Sequence, residues 1–311
     1  MIRALIVLSA LTLVALCTGA TTITPLQVWH LLLAHNPQDF VVWSHRFPRS
    51  LTGILIGAAL GVAGALVQGV IRNPLASPDI LGVTQGAGLA VAFVLLVFPG
   101  VGYLPFFSLL GGAAGAALLM AYNAGIFSPV RFALSGVAVS ATFAGVTQFL
   151  LLTHPVEVNT ALLSLTGSLW ARGWPHLGLL LPLIPLMMVA MTLAKPLDVI
   201  ALGEDTAHAL GTRLRLVRWA AITTAVMLTA ISVSVAGPVG FVGLVAPHLA
   251  RRLVGGGHLR LLPTAGMLGA AILLAADTLG RGIAPPAEIP AGVLTAVIGA
   301  PYFLWLLFRT R

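Results

Sequence analysis

The hydrophobic positions of this chain fall in long uncharged blocks closed by short polar breaks. The clearest block runs from Ser50 to Ile71, about twenty residues without a charge, which at about 1.5 Å per residue fits the bilayer core. It is entered through Arg46-Phe47-Pro48-Arg49 and left through Arg72-Asn73-Pro74-Leu75-Ala76-Ser77-Pro78-Asp79. Glycines at 53, 57 and 61 recur every fourth residue, so they line one helix face and predict the close approach of a second helix. The Asn-Pro and Ser-Pro exit predicts a helix end outside lipid or inside a protein-lined cavity.

Ten such blocks are predicted to cross a membrane: residues 4–20, 50–71, 84–98, 105–122, 132–153, 177–194, 219–236, 241–254, 263–280 and 291–308. The third and eighth are short for a full crossing. The first block follows Met1-Ile2-Arg3 and is read as an uncleaved membrane helix in preference to a secretory signal. Composition agrees: 59% of the 311 residues are hydrophobic and 8% charged, against about 25% charge in a soluble domain. Mean hydropathy is +1.04. An all-α membrane protein follows, with one domain over residues 1–311. The net charge of +8 could suggest nucleic acid, but the cations sit at block ends. With the N-terminus inside, the inner segments hold Arg3, Arg72, Arg131, Lys195, Arg213, Arg215, Arg218, Arg251, Arg252, Arg260, Arg309 and Arg311. The outer segments hold Arg46, Arg49, Arg172 and Arg281. That imbalance predicts both termini on the cytoplasmic side. The lone Cys17 rules out a disulfide framework.

Two connections are longer than turns. Residues 21–45 carry His30, His35 and His45, which lack the spacing of a metal site and are read as surface histidines. Residues 195–218 read as two short helices joined by glycine. Gly203 precedes a helix with Glu204 and Asp205 in its first turn, Gly211 stops it, and Thr212 is placed to cap the next. The result is a compact knob on which Leu202, Leu210 and Leu214 offer uncovered apolar contacts, or else a loop with helical turns. Asp277 is the one acid within a predicted span, and an ion pair with Arg281 at i+4 is preferred to a proton relay. His248 is read as hydrogen-bonded within the bundle rather than as a cargo contact. No phosphate-binding Gly-x-x-x-x-Gly-Lys loop, nucleophile elbow or zinc-helix motif is present in the sequence.

The Arg46–Arg49 opening, Asn73-Pro74-Leu75-Ala76 and Leu202-Gly203…Leu210-Gly211 together resemble the permease family of binding-protein-dependent ABC importers for iron chelates, haem and cobalamin. So do Gly237-Pro238-Val239-Gly240-Phe241-Val242-Gly243-Leu244-Val245-Ala246-Pro247-His248 and Ile289-Pro290-Ala291-Gly292-Val293-Leu294-Thr295. The resemblance runs end to end. Within the family it is nearest to ferric citrate importer permeases, through residues 71–83, 158–163 and Thr166-Gly167-Ser168-Leu169-Trp170. It implies a type II ABC importer permease fold of about ten transmembrane helices in a bacterial cytoplasmic membrane. Partners implied are a second permease, similar or identical, two ATPase subunits that bind ATP and Mg, and a substrate-binding protein. No cofactor is implied in this chain, which is not itself an enzyme. The segment near 196–218 would couple to the ATPase through Leu202, Gly203, Glu204, Asp205, Ala207, His208, Leu210 and Gly211. Arg46, Arg49 and Arg281 would receive acids of the binding protein, with lipid-headgroup anchoring as the alternative. Asn73 and Leu75 with Ser128, Pro129 and Val130 would form a gate, with ordinary helix-end turns as the alternative. Haem, siderophore and cobalamin remain alternative cargoes. A proton-coupled secondary transporter and an intramembrane enzyme are the rival classes, disfavoured by the missing acid relay and catalytic set.

Overall fold

The computed structural model describes residues 1–19, 21–34, 40–98, 100–101, 103–123, 128–155, 158–283 and 287–309. Among these residues all regular structure is helical. In order the helices are α1 (Ile2–Cys17), α2 (Pro25–Ala34), α3 (Phe47–Ile71), α4 (Val83–Val97), α5 (Leu104–Tyr122) and α6 (Pro129–Thr153). There follow α7 (Val158–Leu165), α8 (Trp174–Leu179), α9 (Leu183–Thr192), α10 (Ala194–Ala201) and α11 (Glu204–Ala209). The chain closes with α12 (Leu214–Ala236), α13 (Val242–Val254), α14 (His258–Ile283) and α15 (Ala291–Arg309). A π-helical turn, Val42–Arg46, leads into α3, and a 3-10 turn, Pro78–Leu81, precedes α4.

Every predicted block falls on helix. Among the described residues six stretches are long and apolar enough to cross a membrane: Val42–Ile71, Leu104–Tyr122, Val130–Thr153, Trp174–Thr192, Leu214–Ala236 and His258–Ile283. Of the remaining blocks, α1, α4 and α13 are shorter, with 16, 15 and 13 residues. The block at 177–194 is broken between α8 and α9, where Pro182 cannot continue the amide ladder. Several helices begin earlier than the apolar pattern suggests. Proline stands in the first turn of α3, α5, α6 and α8, where its missing N–H has no helical acceptor to lose.

The core is the antiparallel pair α3 and α14, flanked by α12, α13 and α1. The glycine face of α3 explains the closeness. A Cβ at Gly57 would lie 2.7 Å from the Ala270 Cα, and one at Gly61 would lie 2.9 Å from the Ala265 carbonyl carbon. Gly64 likewise admits the Gly243 carbonyl of α13. Gly53, the third residue of the predicted face, meets instead the side chain of Leu169 at 3.0 Å. Backbone between α12 and α13 is irregular yet covered by protein. Ser168 N donates to Ala236 O at 2.7 Å, and Gly292 N donates to Gly167 O at 2.8 Å. The antiparallel pairing gives the molecule two ends. One gathers Arg46, Arg49 and Arg281, and the other carries α10 and α11.

Candidate docking and gate sites

At the second end, α10 and α11 form the predicted knob. The backbone turns at Gly203 (φ 112°) and Gly211 (φ 74°), a region that glycine enters without steric cost. Two carboxylates tie the knob down. Asp198 of α10 accepts from the His258 backbone N at 2.9 Å and bonds the His258 ring at Nδ1, 2.6 Å away, so α10 caps the start of α14. Glu204 Oε1 pairs with Arg218 Nη2 at 2.6 Å and with Arg72 Nη2 at 2.8 Å, joining α11 to α12 and to the end of α3. The Arg218 hydrogen bond, reinforced by the charges of Arg218, Arg72 and His208, holds the Glu204 carboxyl below its usual range. Ala207 is buried, whereas Asp205, His208 and Gly211 are exposed. Leu202 and Leu210 are 65% and 62% exposed. An open groove of about 1010 Å³ at this end is lined by His208, Gly211, Arg213, Arg215, Leu216 and Trp219. Two expectations are corrected. Leu214 is buried beneath the knob, Leu216 being the exposed leucine, because α12 starts at Leu214 and turns that side inward. Thr212 does not cap α12; Arg213 occupies that position without a side-chain bond.

At the first end, the arginines are turned into the protein. Arg46, Arg49 and Arg281 are only 6%, 3% and 6% exposed. Arg46 Nη1 donates to Leu16 O at 2.9 Å and Nη2 to Thr21 Oγ1 at 3.1 Å. Arg281 donates to Thr18 O and Ala15 O at 3.4 and 3.3 Å. Both thus satisfy carbonyls left open at the end of α1. The predicted Asp277–Arg281 pair is present at 3.2 Å. Asp277 also takes Arg49 Nη2 at 2.8 Å, and Glu288 takes the other edge of Arg49 at 2.8 and 3.2 Å. Spacing could reveal the i+4 partner, but Arg49 and Asp277 lie 228 residues apart. His30 is exposed and His45 half-buried, 5.8 Å from the Phe40 ring, while His35 lies outside the described residues. Among the described residues no group of histidines, cysteines and acids has the arrangement of a metal site.

The proposed gate positions occupy two helix-end turns. Asn73 Oδ1 accepts from Leu75 N at 2.9 Å, closing a turn after Arg72, which is itself left-handed (φ 55°). Ser128 Oγ accepts from Arg131 N at 3.5 Å and caps α6; Pro129 stands in the first turn, and Val130 is 68% exposed. Among the described residues no hydrogen bond joins the two turns. Sequence reading missed Gln68, whose Nε2 donates to Ala76 O and Leu244 O at 3.3 and 3.4 Å and whose Oε1 accepts from Arg251. An amide inside an otherwise uncharged helix was the available signal. The expectation for His248 is also corrected. Among the described residues neither buried ring nitrogen has a hydrogen-bond partner; the ring faces that of Tyr302 at 6.1 Å, and the Tyr302 hydroxyl is likewise unpartnered.

This arrangement has close counterparts among known proteins. The chain is 47% identical to the Fe(3+)-citrate import system permease protein YfmE of Bacillus subtilis (strain 168), over 98% of this chain and 94% of that protein. It is 46% identical to the Fe(3+) dicitrate transport system permease protein FecD of Escherichia coli (strain K12), over 91% of each. A metal-chelate type ABC transporter solved in an inward-facing conformation superposes with a TM-score of 0.87 at 29% identity, covering 99% of this chain and 98% of that one. The FecCD transport family matches residues 6–309, nearly the whole length, and the chain belongs to that family.

Proposed function

We propose that the chain is the membrane permease subunit of an ABC importer for an iron chelate, with ferric citrate as the cargo. The observation that carries this reading is the end-to-end similarity, above 45% identity, to two permeases named for iron citrate. In this reading α1, α4, α13 and α15 join the six apolar spans to make ten crossings. The knob faces the cytoplasm and seats an ATPase subunit that binds ATP and Mg. Leu202 and Leu210 supply the apolar contact, while the Glu204 and Asp198 ties transmit force to α3, α12 and α14. The turns at Asn73–Leu75 and Ser128–Val130 gate the path, and a second permease packs along the exposed apolar face of α6. The arginine end receives the substrate-binding protein at Arg46, Arg49 and Arg281. Because those guanidinium groups are occupied internally, incoming acids would have to displace the partly exposed Glu288 from Arg49. Asp277 is neutralised by two arginines, which removes the acid a proton relay would need.

Uptake of radiolabelled ferric citrate by cells carrying only this system and its partner subunits tests the assignment. Accumulation that requires ATP hydrolysis is the expected result. Transport of haem or a siderophore, with ferric citrate excluded, would overturn the cargo.

A further inference from the structure

Along the side formed by α1, α3, α9 and α14 runs an open groove of about 420 Å³. Small residues of α3 and α14, Ala58, Gly266 and Ala270, leave room there that larger side chains would take. Every residue lining the groove is apolar, and four are methionines: Met187, Met188 and Met191 of α9 and Met267 of α14. The whole chain has seven methionines, so more than half gather here. Their unbranched side chains adapt to apolar partners of varying shape. The lining runs from Pro263 to Ala270 on α14 and from Ile54 to Val62 on α3, a length of about 10–12 Å. Both helices belong to membrane-crossing stretches. The hydrocarbon half of a bilayer is about 15 Å deep, so the groove extends through most of one leaflet. Pro263 stands near the start of α14, which places that leaflet on the side of α10 and α11.

The mouth of the groove at that end is basic. Lys195 follows Met191 by four residues, and the backbone between them stays right-handed at Leu193 (φ −82°, ψ −7°), so the two share a helix face. Arg260 precedes Pro263 by three residues on α14, again on one face. Asp198 holds His258 at the start of α14, so Lys195 and Arg260 both stand within one turn of a single contact. Both are exposed, and among the described residues neither side chain has a hydrogen bond or ion pair. Asp198, the acid at that contact, is itself bonded to the His258 ring at 2.6 Å. An apolar groove within one leaflet, with two unneutralised cations at its headgroup end, has the shape and charge to take a lipid with an anionic headgroup. The face read above as the seat of a second permease belongs to α6, which packs on α4 and α5, so that partner and a lipid here use different helices.

We propose that this groove binds one anionic phospholipid, with an acyl chain between α9 and α14 and its phosphate between Lys195 and Arg260. The site holds whatever the cargo. Arg3 provides a control: it lies at the same end, on α1, but five residues before the lining residue Leu8 and so about 140° round that helix.

The test uses the complete transporter with its partner subunits in phosphatidylcholine vesicles. These carry a trace of phosphatidylglycerol with a photoreactive group at the end of one acyl chain. A phosphatidylcholine probe with the same chain is the comparison, and labelled peptides are identified by mass spectrometry. Phosphatidylglycerol should label α9 and α14 around Met188, Met191 and Met267 at least about fivefold more than phosphatidylcholine, the preference that one cation at a membrane surface gives. Lys195→Gln and Arg260→Gln should each lower that labelling several-fold, and the double variant should bring it to the phosphatidylcholine level. Arg3→Gln should leave it largely unchanged. Equal labelling by the two probes overturns the proposal, as does native labelling in the double variant. An equal loss in Arg3→Gln also overturns it, by assigning the preference to overall surface charge. If the double variant does not assemble, the native complex is enriched with unlabelled lipid instead. Phosphatidylglycerol should then suppress the label and phosphatidylethanolamine, which has no net charge, should not; equal suppression, or none by either, overturns the proposal. Labelling confined to preparations stripped of the ATPase subunits would assign the two cations to that partner and overturn it as well.

Discussion

At the scale of single residues, the buried charges decide most. Asp277 is 2% exposed and answers both Arg49 and Arg281, so Asp277→Asn leaves Arg281 without an ion-pair partner among the described residues and Arg49 with Glu288 alone. Removing one partner of a buried pair costs about 3–5 kcal/mol, whereas an exposed pair contributes about 0–1 kcal/mol. Thermal unfolding in detergent should therefore fall sharply for Asp277→Asn and little for Glu288→Gln, whose side chain is 29% exposed. Equal losses would show that the cluster does not depend on Asp277. Glu204 behaves differently because it sits in water at the knob, 43% exposed. Its carboxyl is held down in the folded protein, chiefly by the Arg218 hydrogen bond. Its contribution is then complete above the unfolded carboxylate value of about 4.3 and is lost as pH falls through the lower folded value. Amide exchange across residues 203–211 should accelerate on acidification through that range, and Glu204→Gln should abolish the pH dependence. An acceleration that survives in the glutamine variant would assign it to another acid.

At the scale of helices, glycine acts in two separate ways. Gly211 has open space around its missing Cβ, so a substitution there meets only the left-handed backbone. Gly211→Val should cost about 1–2 kcal/mol and lower ATP turnover of the complex, while Gly211→Asn, which tolerates that conformation, should retain most of it. Matching losses in both variants would point to a contact and away from backbone geometry. Gly61 is the opposite case, ordinary in conformation but pressed against the Ala265 carbonyl. Gly61→Leu should separate α3 from α14 at a cost of at least about 1–3 kcal/mol, seen as poor recovery of folded protein. The knob was legible because Gly203, the acids at 204 and 205, and Gly211 are all local signals. Thr212 misled because a hydroxyl before a helix is only a candidate cap, and the observed α12 begins one residue beyond its reach.

For the whole molecule, the positive-inside count predicts a definite orientation. In a Cys17→Ser background, a cysteine at exposed His208 should react only from the cytoplasmic face, and one at Phe40, 72% exposed, only from the opposite face. The reverse labelling would invert the topology and with it the placement of the ATPase. The two ends differ in what they leave open. The knob end keeps leucines and an open groove at its surface, whereas the arginine end folds its charges inward, so the two ends offer surfaces of different chemistry.

The sequence by itself determined the all-helical class, the long apolar helices and the family resemblance. Block length, the spacing of Gly57 and Gly61, proline at helix starts and glycine at helix ends act over a few residues of backbone and can be read in one dimension. The i+4 pair of Asp277 with Arg281 belongs to the same local set. Tertiary structure alone decided which charges meet at long range: Arg49 with Asp277 and Glu288, Arg72 with Glu204, and Asp198 with His258. It also decided that Arg46, Arg49 and Arg281 are buried. A cation at a block end looks the same in sequence whether it faces water or a carboxylate 228 residues away, because burial depends on how α1, α3 and α14 pack together.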